Sequence, residues 1–166
     1  MARTFLSLGS NLGDRVSYLR QAVESLPRPV RTSRVYETEP HDAPAGSGLF
    51  LNAVAEIHFE PSAAGLLHLV GRLEKNANRV RLARNGPRTL DVDVVFVDGW
   101  MSNEAAMTVP HPRVRDRAFV IAPLMDLDPV LARRLNPEMS AIIAKAFYRR
   151  DREVYPGVVV YAEALS

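Results

Sequence analysis

The chain has no cysteine, one tryptophan and a net charge of only +2 over 166 residues. Without cysteine it can form neither disulfides nor thiolate metal sites, so any metal must be bound by oxygen or histidine. No apolar run approaches the roughly 20 residues of a membrane span, and the N-terminus lacks the form of a signal peptide. With 47% hydrophobic residues, the chain is long enough for one domain and short for two. We therefore expect a single soluble, cytoplasmic domain over residues 1–166.

Positive charge is concentrated in one segment. Residues 72–88 contain six basic residues against a single acidic one, Glu74, so the rest of the chain is net negative. A short basic segment favours a discrete anion over a long polyanion. The charge pattern therefore predicts a small anionic ligand.

Two aspartates follow this basic segment on a predicted strand. Residues 89–97 alternate in polarity, which places Asp91 and Asp93 on one face, together with Val95 and Val97. Carboxylates two residues apart on a strand lie roughly 7 Å apart along the chain and can converge on Mg²⁺, or on two ions about 4 Å apart. The pattern fits a nucleotide–metal site, and it fits equally a solvated strand face beside a basic loop.

Six segments in order make the chain resemble a known family. Gly86-Pro87-Arg88-Thr89 with Asp91 and Asp93 matches the signature of the 6-hydroxymethyl-7,8-dihydropterin pyrophosphokinases of folate biosynthesis. The other matching segments are LGSN at 8–11, YET at 36–38, FLN at 50–52, Glu74 with Arg79 and Arg81, and VPHP at 109–112, followed by Arg117 and Phe119. The resemblance covers about residues 5–130.

The resemblance implies an activity and a role for each matching residue. Members transfer pyrophosphate from MgATP to the hydroxymethyl group of a reduced pterin and release AMP, so ATP and 6-hydroxymethyl-7,8-dihydropterin are the expected partners. Asp91 and Asp93 are the expected ligands of two Mg²⁺ ions. The expected catalytic residues are Arg79, Arg88 and His111; the ATP-site residues are Glu74, Arg81, Arg88, Thr108, His111 and Arg117; and the pterin-site residues are Thr38, Phe50, Asn52 and Phe119.

The order of the predicted elements indicates the fold. Strands and helices alternate as β-α-β-loop-β-α-β before further helices, which suggests an α+β fold of ferredoxin-like type, an antiparallel sheet with helices packed on one face. The resemblance implies the same fold. Asn52, Asp91 and Asp93 would then lie on the open face of the sheet. Ser10 and Asn11 fit a strand-to-helix turn with a capping side chain better than a substrate contact.

Two other functions share some of these features. Ferredoxin-like sheets with basic loops also bind single-stranded RNA, but that mode needs exposed aromatics on the central strands, and an aspartate pair repels phosphate unless metal is bound. A metal-dependent nuclease would share the aspartate pair but gives no reason for the segments around Tyr36 and His111. We expect a monomeric enzyme without nucleic-acid or membrane partners.

Overall fold

The structure is a computed structural model that describes residues 1–40, 46–78 and 86–165. These ranges contain the strands β1 Ala2–Ser10, β2 Val30–Thr32, β3 Val35–Thr38, β4 Phe50–Phe59, β5 Asp91–Val97, β6 Ser102–Glu104, β7 Met107–Val109, β8 Glu153–Tyr155 and β9 Val158–Ala162. They also contain the helices α1 Arg15–Glu24, α2 Ala63–Asn76, α3 Ala118–Leu127, α4 Pro129–Leu135 and α5 Pro137–Arg149. Within this part of the chain, no helix is both long and apolar enough to cross a membrane.

Short polar side chains cap the N-termini of α1 and α2. Ser62 Oγ accepts the Gly65 backbone N–H at 3.1 Å, which makes Ser62 the N-cap of α2. For α1 the capping residue is Asp14, whose Oδ1 accepts the Ser17 N–H at 3.0 Å. Neither Ser10 nor Asn11 therefore caps α1, contrary to the sequence-based interpretation.

One antiparallel sheet contains seven of the described strands. Its order is β5-β1-β4-β3-β9-β8, and β2 also pairs with β4. The extended segment over residues 30–38 is interrupted at Ser33. The Ser33 backbone N–H donates to the Val54 carbonyl and its Oγ accepts the Val54 N–H, both at 2.9 Å. A side chain thus replaces part of the backbone ladder, and the strand is divided into β2 and β3.

Helices lie on both faces of this sheet. On one face α1 and α2 cover Leu6, Leu8 and Leu51. On the other face α3, α4 and α5 pack against Phe5, Val54 and Val95. The α+β class with an antiparallel sheet is confirmed, but the expectation that helices pack on one face only is wrong, because alternate residues of β1, β4 and β5 form a second apolar surface.

A β-bulge changes the faces of β5. Leu6 pairs with Val94 and Phe5 with Phe96, so Val95 has no opposite residue on β1. Beyond the bulge the alternation shifts by one residue. Val97 therefore joins the core under α1 and α2, while Phe96 packs towards α3 to α5, the reverse of the assignment from strict alternation. Asp91 and Asp93 precede the bulge and keep their predicted common face.

Candidate active site

A cleft opens where α3 to α5 leave the sheet uncovered. It is lined by Ser7, Gly9, Thr38, Glu39, Phe50, Asn52, Arg88, Asp91, Asp93, His111, Arg113, Arg117 and Phe119. Nine of the predicted site residues are among them. Glu74 and Thr108 lie outside this lining, and Arg79 and Arg81 lie outside the described residues.

Small residues face the two carboxylates across the sheet. In the register of β1 and β5, Gly9 lies opposite Asp91 and Ser7 opposite Asp93. A Cβ added at Gly9 would come within 3.1 Å of Asn52 Oδ1. A larger residue at this position would therefore crowd the floor of the cleft.

Each aspartate forms an ion pair with an arginine from a different loop. Arg88 Nη1 lies 3.1 Å from Asp91 Oδ2, and Arg117 Nη1 lies 2.8 Å from Asp93 Oδ2. Both carboxylates remain about one-third exposed. The cleft thus holds anion-binding and cation-binding groups in direct contact, which suits a ligand that carries both phosphate and metal.

The bulged residue of β5 holds His111 beside Asp93. The His111 backbone N–H donates to the Val95 carbonyl at 3.0 Å. The Arg113 backbone N–H donates to His111 Nδ1 at 3.2 Å, so the neutral imidazole carries its proton on Nε2, which lies 3.7 Å from Asp93 Oδ2. Burial lowers the pKa of His111, with the Asp93 charge opposing this shift and the charges of Arg117 and Arg113 adding to it. Nε2 is therefore a hydrogen-bond donor directed at the cleft.

The cleft lining also contains two aromatic rings and one side-chain amide. Phe50 and Phe119 both line the cleft, and the Arg117 guanidinium lies 5.5 Å from the centroid of the Phe119 ring. Asn52 Nδ2 donates to Thr38 Oγ1 at 2.7 Å, which orients the buried amide with Oδ1 towards Gly9. An apolar face beside an oriented carbonyl oxygen fits a flat heterocycle that has N–H donors.

Glu74 supports β5 from behind the cleft. This carboxylate is 8% exposed, and its Oε1 accepts the backbone N–H of Val92, the residue between the two aspartates, at 3.2 Å. Thr108 lies in β7, where its hydroxyl donates to the Glu104 carbonyl at 3.1 Å. Of the predicted ATP-site residues that the structure describes, Arg88, His111 and Arg117 line the cleft, whereas Glu74 and Thr108 lie outside its lining.

Four residues of the cleft were not predicted as site residues. They are Ser7, Gly9, Glu39 and Arg113. Gly9 lies in the LGSN segment, and Arg113 follows His111 closely in a run of arginines, so both had a signal in the sequence. Ser7 and Glu39 had no such signal in the sequence. The register of the sheet brings Ser7 to the cleft, and the position of Glu39 just after β3 brings it there.

The donor set suits Mg²⁺ bound together with a phosphate ligand. Within the described ranges no group of three or more acidic, histidine or cysteine side chains forms a protein-only metal site. Mg²⁺ commonly takes one or two carboxylates and completes its shell with water and substrate phosphate. Asp91 and Asp93 meet that requirement, with arginines close enough to hold the phosphates.

Comparisons with known proteins relate the chain to one protein family. The sequence model of the family described as 7,8-dihydro-6-hydroxymethylpterin-pyrophosphokinase matches residues 5–129. The chain is 39% identical over 136 residues to the 2-amino-4-hydroxy-6-hydroxymethyldihydropteridine pyrophosphokinase of Methylorubrum extorquens, covering 79% of this chain and 85% of that protein. It is 34% identical over 160 residues to the folic acid synthesis protein fol1 of Pneumocystis carinii, covering 92% of this chain and 21% of that protein.

A solved structure shares the fold. The Plasmodium falciparum HPPK-DHPS crystal structure with SDX-DHP superposes with a TM-score of 0.65 and 11% identity, over 98% of this chain and 49% of that one. At that identity the likeness concerns the fold alone. The chain spans about half of the Plasmodium protein and about a fifth of the Pneumocystis protein, so any further activities of those longer proteins are not transferred to it.

Proposed function

The chain belongs to the 7,8-dihydro-6-hydroxymethylpterin-pyrophosphokinase family and is a pyrophosphokinase of folate biosynthesis; from that premise we propose how its cleft divides the reaction. One side binds MgATP and the other binds 6-hydroxymethyl-7,8-dihydropterin. The pterin hydroxyl oxygen attacks the β-phosphorus, the bond to the α-phosphate oxygen breaks, and AMP leaves. The observation that carries this proposal is that the Asp91–Asp93 pair lines the same cleft as Asn52, Phe50 and Phe119.

Asp91 and Asp93 are proposed to hold Mg²⁺ against the triphosphate. Two ions are expected, and bound metal would neutralise triphosphate charge and lower the pKa of the attacking hydroxyl. Arg88 and Arg117 lie within 3.1 and 2.8 Å of these carboxylates, within reach of phosphate oxygens beside them. His111 donates Nε2–H to a phosphate oxygen. Positioning and charge neutralisation of this kind account for most of the catalysis in phosphoryl-type transfer.

The pterin is proposed to bind through its ring face and its N–H edge. Phe50 and Phe119 supply aromatic surface for stacking. Asn52 Oδ1 accepts a ring N–H, because the bond from Nδ2 to Thr38 holds the amide in that orientation. A site with an oriented acceptor disfavours analogues that lack the matching donor, because the carbonyl would be left unpaired.

The remaining assignments extend the same proposal. Arg79 and Arg81 contribute to the phosphate side, and Glu74 and Thr108 belong to the surrounding ATP site. The protein acts as one monomeric, cytoplasmic domain on small molecules, without nucleic acid or membrane. The cleft is compact and combines metal-binding with ring-binding groups, which favours this enzyme over an RNA-binding sheet or a nuclease.

Measurement of the reaction products tests this proposed function. Protein incubated with Mg²⁺, ATP and 6-hydroxymethyl-7,8-dihydropterin is expected to form AMP and the pterin diphosphate in equal amounts, and none when EDTA is present. Formation of ADP, or equal ATP consumption without the pterin, would overturn the proposal. Titration with Mn²⁺ in the presence of a non-hydrolysable ATP analogue is expected to give two bound ions per protein. A stoichiometry of one would contradict the proposal of two metal ions.

A further inference from the structure

Asn11 joins two segments that carry the cleft. It follows β1, is 7% exposed, and its Oδ1 accepts the backbone N–H of Arg88 at 2.8 Å. Its own backbone N–H donates to the Arg88 carbonyl at 3.2 Å. Both backbone hydrogen-bonding groups of Arg88 are therefore paired with one residue, 77 positions earlier in the chain.

This pairing extends the sheet past its last regular pair. The β1–β5 ladder ends where Gly9 faces Asp91, and regular antiparallel pairing would next place residue 11 opposite residue 89. Asn11 instead reaches residue 88, using its side-chain oxygen in place of a backbone carbonyl. Because Asp14 caps α1, the Asn11 amide is available for this contact.

Arg88 depends on its backbone position to reach the cleft. Its Nε donates to the Gly86 carbonyl at 3.2 Å, and its Nη1 lies 3.1 Å from Asp91 Oδ2. The Gly86 contact is local, whereas the Asp91 contact depends on where the backbone at residue 88 lies relative to the start of β5. A shift of about 1 Å in a positioned catalytic group can lower a rate about 10²-fold.

Asn11 also contacts the segment that leads to the aromatic side of the cleft. Its Nδ2 lies 3.5 Å from the Gly48 carbonyl, two residues before β4 begins at Phe50. A Cβ at Gly48 would come within 3.2 Å of the Asn11 carbonyl oxygen, so this segment approaches Asn11 closely. Asn11 thus contacts both the Arg88 backbone and the segment that leads into β4.

We propose that Asn11 is a positioning residue that holds the Arg88 backbone, and through it the Arg88 guanidinium, in place for pyrophosphoryl transfer. The inference rests on the proposed role of Arg88 at the phosphates. Asn11 contacts neither substrate nor metal in this assignment, and its effect on transfer passes through Arg88 rather than through its longer, 3.5 Å contact with Gly48. Its removal therefore has no further effect on transfer once the Arg88 side chain is absent.

The first measurement needs no substrate. Amide hydrogen exchange of Arg88 is followed by NMR in the wild type, Asn11→Ala, Asn11→Asp and Asn103→Ala, the last removing an exposed asparagine from β6 as a matched control. The Arg88 amide is expected to exchange about tenfold faster or more in Asn11→Ala. Loss of a hydrogen bond that contributes about 1.4 kcal/mol shifts the equilibrium between the closed and open states of this amide about tenfold. Asn11→Asp keeps the acceptor oxygen and should stay near the wild type, as should Asn103→Ala. Unchanged protection in Asn11→Ala overturns the proposal; if that variant does not fold, loss of protection in Asn11→Asp does so.

The second measurement is a double-mutant cycle on the single-turnover transfer rate. Asn11→Ala is expected to lower this rate about tenfold or more in the wild-type background and less than about twofold in Arg88→Ala, since residues acting as one unit are non-additive. Equal reductions in both backgrounds would make Asn11 a general structural residue and overturn the proposal. A wild-type rate in Arg88→Ala alone would remove the role of Arg88, and the exchange measurement separates that failure from a missing Asn11 contact.

Discussion

Arg117 Nη1 lies 2.8 Å from Asp93 Oδ2, so one carboxylate oxygen of the proposed metal site also accepts a hydrogen bond from an arginine of the proposed phosphate site. If Asp93 binds a divalent metal as proposed, metal and guanidinium would compete for the same oxygen. Bound triphosphate would offer Arg117 a second anionic partner and leave Asp93 for the metal. We therefore expect nucleotide binding and metal binding to be coupled.

Arg117→Gln should separate the two kinds of binding. Removing a positive charge beside Asp93 is expected to strengthen Mn²⁺ binding without nucleotide by about tenfold, because charges about 4 Å apart interact by about 1–4 kcal/mol near a protein surface. The same variant should weaken binding of a non-hydrolysable ATP analogue. Electron paramagnetic resonance titration of free Mn²⁺ measures the first effect, and calorimetry the second. Arg115→Gln, an equal charge change on an exposed residue outside the cleft, is the control; weaker Mn²⁺ binding in Arg117→Gln would contradict the competition.

Asp91→Ala and Asp93→Ala should each abolish most turnover while leaving the protein folded. One carboxylate cannot hold the metal in its catalytic position, and a loss of about 10²-fold or more is expected. Both side chains are about one-third exposed, so the free energy of unfolding should change by no more than about 1 kcal/mol. Steady-state rates at saturating Mg²⁺ and urea unfolding test this. Asp98→Ala, at the turn after the same strand, should keep its turnover; near-native turnover in either cleft variant would refute the metal assignment.

Phe119→Ala should weaken pterin binding much more than ATP binding. A stacked aromatic face contributes about 0.5–1.5 kcal/mol beyond the burial of area, which corresponds to a dissociation constant raised at least about two- to twelvefold. Phe119 also packs against the core beneath α3 to α5, so some stability should be lost as well. Phe96→Ala is the control for this loss of stability, because it removes the same side chain beside the same core but outside the cleft lining. Equal losses of affinity for both ligands would identify Phe119 as a core residue only.

Arg79→Ala should lower kcat far more than it weakens ATP binding. This prediction comes from the family resemblance, since Arg79 lies outside the described residues. An arginine that responds to charge developing during transfer lowers the barrier without strengthening ground-state binding. Two measurements test this prediction: the dissociation constant of a non-hydrolysable ATP analogue and the single-turnover rate. Arg20→Ala, on the exposed side of α1, is the control. Unchanged chemistry with a large loss of affinity would make Arg79 a binding residue.

Tyr36→Phe should change stability in a pH-dependent way. Burial, reinforced by the charge of Asp126, raises the pKa of Tyr36, whose hydroxyl donates to Asp126 Oδ2 at 2.8 Å. Above about pH 10 the unfolded chain loses this proton while the native state keeps it, so the wild type should lose stability as pH rises through that range. Tyr36→Phe should be about 1 kcal/mol less stable at pH 7 and lose less at alkaline pH. Urea unfolding at pH 7 and above pH 10 measures both, and exposed Tyr148→Phe should match the wild type throughout.

Much of the local structure follows from short-range patterns. Ser62 predicts the start of α2, and period-two alternation predicts that Asp91 and Asp93 share a face. These features depend on residues within a few positions of one another, so a single sequence contains the information. The bulge at Val95 and the break at Ser33 are properties of pairing with β1 and β4, and alternation within one strand does not reveal them.

The sequence also contains evidence that helices cover the second face of the sheet. Helix α3 is apolar on nearly all sides, as expected for a buried helix, and Phe5, Val54 and Val95 alternate opposite the first core. A sheet with apolar residues on both faces must be covered on both. The cleft is consequently only the part of the second face that α3 to α5 leave open.

The sequence by itself determined which chemistry is available: carboxylates two apart on a strand, a basic segment before them, a histidine between prolines and aromatics beside an amide. Those are choices of residue type and of spacing along the chain. Only the tertiary structure decided which charges pair, that Val95 anchors His111, and that Asn11 holds Arg88. Such contacts join residues up to 77 positions apart and depend on strand register and loop closure, because a shift of one residue in the β1–β5 ladder would change every partner across the cleft.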